Sequence, residues 1–389
     1  MSLSSTSKLD VMFGKETPEA VRLPYRKFTK PGVRVLRQTV TKIDPATRKV
    51  TTDTGVFEAD ILVVALGVDY DLDATPGLRE SGNEFYSFAG AEKLRGILPT
   101  FSKGRVVIGV AGAPFKCPPA PSEAALMLHD MLSTRGVREN CEITFVMPLP
   151  SPVPPSPETS RALLAAFAER KITFMPGHKV VSLDGKRKVV ILDDGQELPY
   201  DLYMGVPKHR AAKVVEECGL SEDGWIPVDD FTLATRFPGV YAIGDCADSN
   251  MPRAGVFAEA GAKAVASALI AQIRGTSDTK PCTGTGICYI EFGKDQVGRV
   301  EVNFYAGPKP TGVYSAHRSN YVPKRNSSDR ADASVGLDSK IRAFPPSPIP
   351  SQLRLKRSHR SDIIQVNRAC RPQIERLGFP KHGFTNIRE

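Results

Sequence analysis

The sequence predicts an α/β protein of two doubly wound parallel-sheet domains, the first of them incomplete, followed by a short further segment. Three observations carry this: an internal repeat, a strand–helix–strand run between its copies, and a strand ending in Gly-Asp ahead of a long helix. The repeat pairs VTKIDPATRKVTTDTGVFEADILVVALG (40–67) with VVSLDGKRKVVILDDGQELPYDLYMGVP (180–207). Both copies read as a strand, an Asp-led turn and an Arg-Lys-Val strand. A second turn follows at Asp53-Thr54-Gly55 or Asp193-Asp194-Gly195, then an apolar strand entered through Asp60 or Asp201. Alternation at Val33/Val35 and Val189/Ile191 favours strands, and the Asp/Gly turns supply hairpin chemistry. Each copy is expected to be a small antiparallel meander that returns the chain to a parallel sheet.

The stretch between the copies reads as half of a doubly wound sheet. A strand at 105–110 leads to a helix at 121–135, with Ala124, Leu128, Met131 and Leu132 on one face and Gly136 at its end. A strand at 142–147 and a Pro/Ser-rich loop at 148–157 follow. Ser156 then opens a helix at 157–170 with Pro157 at its first position, and a strand occupies 172–175. Beyond the second copy, TLATRFPGVYAIGDCADSNMPRAGVFAEAGAKAVASALIAQIRG (232–275) runs from a strand at Val240–Ile243 through Gly244-Asp245 to a helix beginning near Ala254. A carboxylate at the C-terminal end of a parallel strand points into the crevice where such sheets bind ligands, and can accept hydrogen bonds from hydroxyls. The helix N-terminus beside it offers partial positive charge. The same residues also fit an N-capping aspartate ahead of a core helix.

Composition excludes several function classes. The 389 residues are 41% hydrophobic and 24% charged, with no apolar run near the ~18 residues of a membrane span and no apolar leader in MSLSSTSKLDVMFGKE. A formal charge of +9 falls wholly on the segment from Arg318 onward, with 15 Lys/Arg against 6 Asp/Glu; the remainder carries 37 of each. A neutral body argues against specific nucleic-acid binding and assigns the basicity to a tail. Seven cysteines (117, 141, 218, 246, 282, 288 and 370) lie far apart without a CxxC, which argues against a disulfide framework or a metal site and leaves one or two redox-active thiols.

GAPFKCPPAP (112–121) stands where a doubly wound fold turns from a first strand toward a phosphate. A phosphate turn needs glycines so that backbone N–H groups can approach the ligand. Gly109-Val110-Ala111-Gly112 lacks a third glycine and Pro114 has no N–H to give, which argues against nicotinamide nucleotide binding here. Lys116 next to Cys117, with a helix starting near Pro121 or Ser122, fits a thiolate instead, since a neighbouring cation and a helix N-terminus both lower a thiol's pKa. The prolines restrict the loop. Cys141, Cys218 and Cys246 read as small buried hydrophobes. Nothing in their spacing raises His129, His178, His209 or Glu123 above packing, surface or helix-capping roles.

FPGVYAIGD (237–245) with AGVFAEAGAKAVA (254–266) resembles the second flavin-binding motif of the pyridine nucleotide–disulfide oxidoreductase superfamily, and ILVVALG (61–67) resembles its strand-end motif. Within it, GAPFKCPPAPSEAALMLHD (112–130), CYIEFG (288–293) and GPKPTG (307–312) are similar to the branch holding sulfide:quinone oxidoreductase and the flavin subunit of flavocytochrome c sulfide dehydrogenase. The resemblance covers roughly 8–314 and implies two Rossmann-like FAD/NAD(P)-binding domains. It implies a first-domain remnant at 1–104, a second domain at 105–225, a return to the first at 226–275 and an interface segment at 276–314; composition assigns 315–389 to a basic, mostly disordered tail with one helix at 361–377.

The resemblance further implies FAD as cofactor. Asp245 would bind the ribityl chain, Gly244 would admit the backbone, Gly67 would line the crevice, and Ala254, Gly255 and Val256 would present the helix start to the pyrimidine end of the flavin. It implies a redox pair of Cys117 and Cys288, with Cys282 the weaker alternative to Cys288. Electrons would pass from a small sulfur donor to a quinone or cytochrome c-type acceptor. Contact with a membrane face and a homodimer are compatible with it, and without a leader in this chain a cytoplasmic or peripheral-membrane location is favoured. The family's opening G-x-G-x-x-G unit, which cradles the FAD pyrophosphate, is not in these 389 residues, so the expectation is a truncated or frameshifted frame of a fuller flavoprotein. The alternatives are an NAD(P)H-dependent flavin reductase of the type II NADH dehydrogenase kind and a fragment without catalysis.

Overall fold

An aspartate at a strand end can fold back and accept N–H groups two and three residues on, turning the chain without leaving those donors unpaired. The computed structural model, which describes residues 5–318 apart from 23, 26–29 and 295, together with 363–366, shows this device twice. After α1 (Ser5–Met12), β1 (Val40–Asp44), β2 (Lys49–Thr52) and β3 (Val56–Glu58) form an antiparallel meander. Asp44 Oδ1 accepts from the N–H groups of Ala46 and Thr47 at 3.1 and 3.3 Å. β4 (Ile61–Val64) then enters a parallel sheet, and β5 (Val68–Asp71), α2 (Leu78–Ser81) and α3 (Phe88–Ile97) lead away from it. Val33 and Val35, expected from their alternation to belong to a strand, lie outside any strand. Both are exposed, so no sheet partner rewards their β-propensity.

The central run follows its local signals closely. It comprises β6 (Gly104–Val110), α4 (Ala120–Thr134), β7 (Cys141–Met147), α5 (Pro157–Glu169) and β8 (Ile172–Pro176). Ser156 caps α5 by accepting from Thr159 N, with Pro157 at the first turn. The second meander is β9 (Val180–Asp184), β10 (Val189–Leu192) and β11 (Glu197–Pro199), and Asp184 Oδ1 accepts from Lys186 N and Arg187 N at 3.0 Å each. β12 (Leu202–Val206) then pairs with β6, completing a parallel sheet of order β12-β6-β7-β8. Strands covered on both faces have to be apolar throughout, and all five residues of β12 are buried.

β13 (Lys208–Ala211) pairs antiparallel with β5 and ties the two units together. α6 (Lys213–Glu217), β14 (Ile226–Pro227), β15 (Val240–Ala242) and β16 (Ala247–Asp248) follow, then α7 (Gly255–Arg274) with Gly275 as its left-handed C-cap. β15 pairs parallel with β4, so the chain returns to the first sheet. β17 (Thr285–Gly293), β18 (Gln296–Asn303) and β19 (Thr311–Arg318) form a closing antiparallel sheet, with β17 packed on α4.

The other edge of β4 is taken by β20 (Ile363–Val366), parallel and in register from Ile363↔Ile61 to Val366↔Val64. This strand lies inside the stretch expected to be a helix at 361–377. An open edge of an apolar parallel strand leaves N–H and C=O groups unpaired, and pairing them outweighs local helical preference. The rest of the basic tail lies outside the described residues.

Candidate active site

Parallel pairing places the two flavin-type turns side by side. Val63 faces Tyr241 and Val64 faces Ala242, so Gly67 and Gly244-Asp245 follow the C-terminal ends of adjacent strands β4 and β15. Gly244 has φ +73°, and a Cβ there would meet Ala258 Cβ at 3.4 Å, which keeps the turn close against α7. A Cβ at Gly67 would meet nothing within 4 Å, so that turn faces open space. Cys246 stitches the turns together: its thiol donates to Val64 O and Ile243 O at 3.6 and 3.5 Å, and burial pushes it up to about 11.

A small crevice lined by Gly244, Arg253, Ala254, Phe257 and Ala258 runs to the start of α7. Ala254 is the N-cap of this 20-residue helix and offers no side-chain cap, so the helix start is not closed by its own sequence. Arg253, unremarked in the sequence, is buried with its guanidinium 3.6 Å above the Trp225 ring, and Nε donates to Asp245 O at 3.2 Å. Its Nη2 has Asp248 Oδ1 at 3.6 Å but no hydrogen-bond acceptor among the described residues. A buried guanidinium N–H without an acceptor beside a crevice is suited to take one from a bound group. The Asp245 carboxyl is raised by burial, opposed by Lys116, Arg253 and Lys8.

The Cys117 turn reaches this crevice from the other sheet. Cys117 N donates to Arg253 O at 2.7 Å, Cys117 O accepts from Ala120 N at 2.9 Å, and Tyr86 Oη donates to the same carbonyl at 3.4 Å. The residue sits at φ +50°, a conformation that costs a non-glycine residue energy and that gathers at functional sites. Lys116 stands with its ammonium 5.2 Å from the Tyr70 ring centroid and acts on Asp245. α4 begins three residues later, so Cys117 precedes a helix N-terminus as anticipated.

Cys288 lies on β17 opposite Val300 and packs against the same apolar core as Cys117. Burial raises its thiol to about 11, with the charge of Glu123 adding to the effect. Glu123, read from the sequence as a helix-terminal acid, is 2% exposed and pushed up to about 8 by burial. Its Oε1 accepts Glu291 N at 3.0 Å, which docks β17 on α4. The first turn of α4 thus neighbours both cysteines, through Ala120 on one and Glu123 on the other. Cys282 is directed elsewhere, with its thiol 3.7 Å from Met251 Sδ and its N–H on Phe231 O. His209 is buried edge-on to Tyr70 and Tyr86 and lowered by burial to about 3, and His129 is lowered by burial to about 4. Both are neutral packing groups near pH 7.

A single carboxylate amid Ala-Ala-Leu-Met-Leu was the available signal for Glu123. Lys8 and Arg253 had none, because what buries them is other elements. Residues 12–262 match the family pattern of the pyridine nucleotide-disulphide oxidoreductases. The mitochondrial sulfide:quinone oxidoreductase of Schizosaccharomyces pombe is 27% identical over 306 residues, 74% of this chain and 66% of that one. A type II NADH:quinone oxidoreductase of Staphylococcus saprophyticus is 28% identical over 232 residues, 56% of this chain and 58% of the relative. The chain thus spans less than two thirds of either relative. The sulfide:quinone oxidoreductase structure from Aquifex aeolicus superposes with a TM-score of 0.71 at 22% identity, covering 80% of this chain and 78% of that one.

Proposed function

This chain belongs to the pyridine nucleotide-disulphide oxidoreductase family, a family of FAD-binding oxidoreductases, and on that premise we propose that it passes electrons from a sulfide-like donor, through Cys117 and Cys288, toward a quinone. The observation that carries the reading is the turn at Cys117, which is fastened to Arg253 O beside Gly244-Asp245 where the family's cofactor would lie. The residues present fit part of FAD. Arg253 Nη2 and the uncapped start of α7 offer N–H groups to its electron-rich ring end, and Asp245 offers a carboxyl to its hydroxyls. When bound, FAD supplies a two-electron acceptor that can return electrons to a quinone.

The chain's own part is sulfur and proton chemistry. Both thiols are free in this structure; in the oxidised pair, with a Cys117–Cys288 disulfide, a hydrosulfide attacks one sulfur and a new S–S bond forms as the Cys–Cys bond breaks. The donor sulfur is oxidised by two electrons, and the displaced cysteine leaves as a thiolate. On the Cys288 side Glu123, protonated near pH 7, is the proton donor to a displaced Cys288 sulfur, whose hold on a proton burial strengthens. Lys116 and the start of α4 favour the thiolate at Cys117. A quinone acceptor, being lipid-soluble, supports a location against a membrane face.

The test is purification of the chain with FAD followed by anaerobic addition of sulfide. Bleaching of bound flavin by sulfide, lost in Cys117→Ala, supports the reading; undiminished bleaching in the variant ends it. Fast bleaching by NADH alone would favour the type II NADH dehydrogenase reading. The second domain's turn argues against that outcome, since it lacks a third glycine and Pro114 has no N–H to give.

A further inference from the structure

Lys8 has no place in the function described so far, and its setting is unusual. It comes from α1, is 7% exposed, and donates from Nζ to Tyr86 O. Its ammonium lies 6.0 Å from the centroid of the Tyr70 ring, and that of Lys116 lies 5.2 Å from the same centroid. Two lysines on one ring, largely removed from water, repel each other and cost desolvation; an anion between them, or loss of the Lys8 proton, relieves this. A small pocket lined by Lys8, Leu9, Phe85, Tyr86, Lys116 and Ala120 opens beside them, and Cys117 follows Lys116 directly.

The acidic groups facing this pair are already engaged. Glu84 Oε2 accepts from the N–H groups of Tyr86 and Ser87 at 2.7 Å each, and its Oε1 accepts from Ser87 Oγ. Asp245 is shared among Lys116, Arg253 and Lys8. The remaining titratable neighbours are Cys117, whose charge favours the protonated Lys8, Tyr70 and Tyr86, both raised by burial and so neutral, and His209, lowered to about 3 and also neutral.

We propose that Lys8 and Lys116 form an anion subsite on the Cys117 side of the pair, which receives a small monoanionic sulfur species such as hydrosulfide. The proposal rests on the reading of Cys117 as a redox thiol and adds to it the group that gathers the donor. α1 is thereby part of the site, because removing Lys8 leaves one cation where two converge. Burial and the neighbouring Lys116 lower Lys8 to about 7, so the subsite carries its full charge below that pH and loses part of it above.

Alkylation of Cys117 tests this without flavin or sulfide, so its outcome is separable from the bleaching experiment. Both iodoacetate, an anion, and iodoacetamide, a neutral analogue, consume the thiolate. Their rate ratio at Cys117, followed by peptide mass spectrometry on the full chain, therefore reports local charge and cancels the thiol's own titration. The ratio is expected to exceed that of a small free thiol and to fall as pH rises through about 7. In Lys8→Met it should drop about three- to tenfold at pH 6, the effect of one charge at this range in a partly screened site. Lys8→Arg, which stays charged, should hold the ratio high at pH 8, a gain that damage to the fold would not produce. A parent ratio equal to that of the free thiol, equal ratios in parent and Lys8→Met at pH 6, or a Cys117 inert to both reagents would overturn the proposal.

Discussion

Replacing Glu123 by glutamine should stabilise the protein, by an amount that grows with pH. The carboxyl is 2% exposed and raised from 4.5 to about 8 because burial penalises its charged form. Its folded-state pKa therefore lies above the unfolded one, the reverse of a salt-bridged acid. Below about pH 4.5 both states are protonated and the group costs nothing. Between 4.5 and about 8 the unfolded chain has lost the proton that the folded chain keeps, so stability falls by about 1.4 kcal/mol per pH unit. At pH 7 that amounts to about 3 kcal/mol, and above pH 8 to about 4–5 kcal/mol, as upper figures. Glutamine keeps the acceptor oxygen for Glu291 N at nearly the same volume and carries no charge, so it removes the penalty and leaves the docking of β17 intact. Urea unfolding of parent and Glu123→Gln at pH 5, 6, 7 and 8 measures the difference directly. A gap that widens steadily with pH is expected, and on the proposed proton transfer from Glu123 to Cys288 sulfide-driven bleaching slows as well. A pH-independent gap, or destabilisation at pH 8, would refute the reasoning.

Other perturbations should act through different terms. Gly244→Val places a β-branched residue at φ +73° against Ala258, so about 1–3 kcal/mol of stability and a measurable loss of flavin affinity are expected in urea unfolding and flavin fluorescence titration. Gly77→Ala sets a Cβ 2.0 Å from Leu183 O, where α2 meets β9, and should cost more than about 2 kcal/mol by thermal unfolding. Phe145→Ala empties a fully buried position on β7, stacked edge-on to Phe167 at 5.9 Å, with an expected cost of about 3–5 kcal/mol.

Local chemistry made much of the fold legible. The two meanders followed from Asp-led turns and a shared order of features, and α4, α5 and α7 from apolar spacing, Ser156-Pro157 and a C-terminal glycine. Each of these signals acts within a few residues, where turn closure, capping and side-chain period are decided. Legibility failed where a partner from elsewhere sets the outcome. Val33 and Val35 had strand chemistry but no partner, whereas Ile363–Val366 became a strand because β4 offered an edge.

The candidate site divides along the same line. Sequence alone determined that a thiol follows a lysine ahead of a helix at Cys117, and that Gly244-Asp245 ends a strand before another helix. Tertiary structure alone decided that Arg253 O holds Cys117 N, that Lys8 joins Lys116 over Tyr70, and that Glu123 is sealed under β17. The physical reason is that a polar residue's chemistry depends on how much water its neighbours remove. Those neighbours come from elements as distant in the chain as α1 and β17, which only packing brings together.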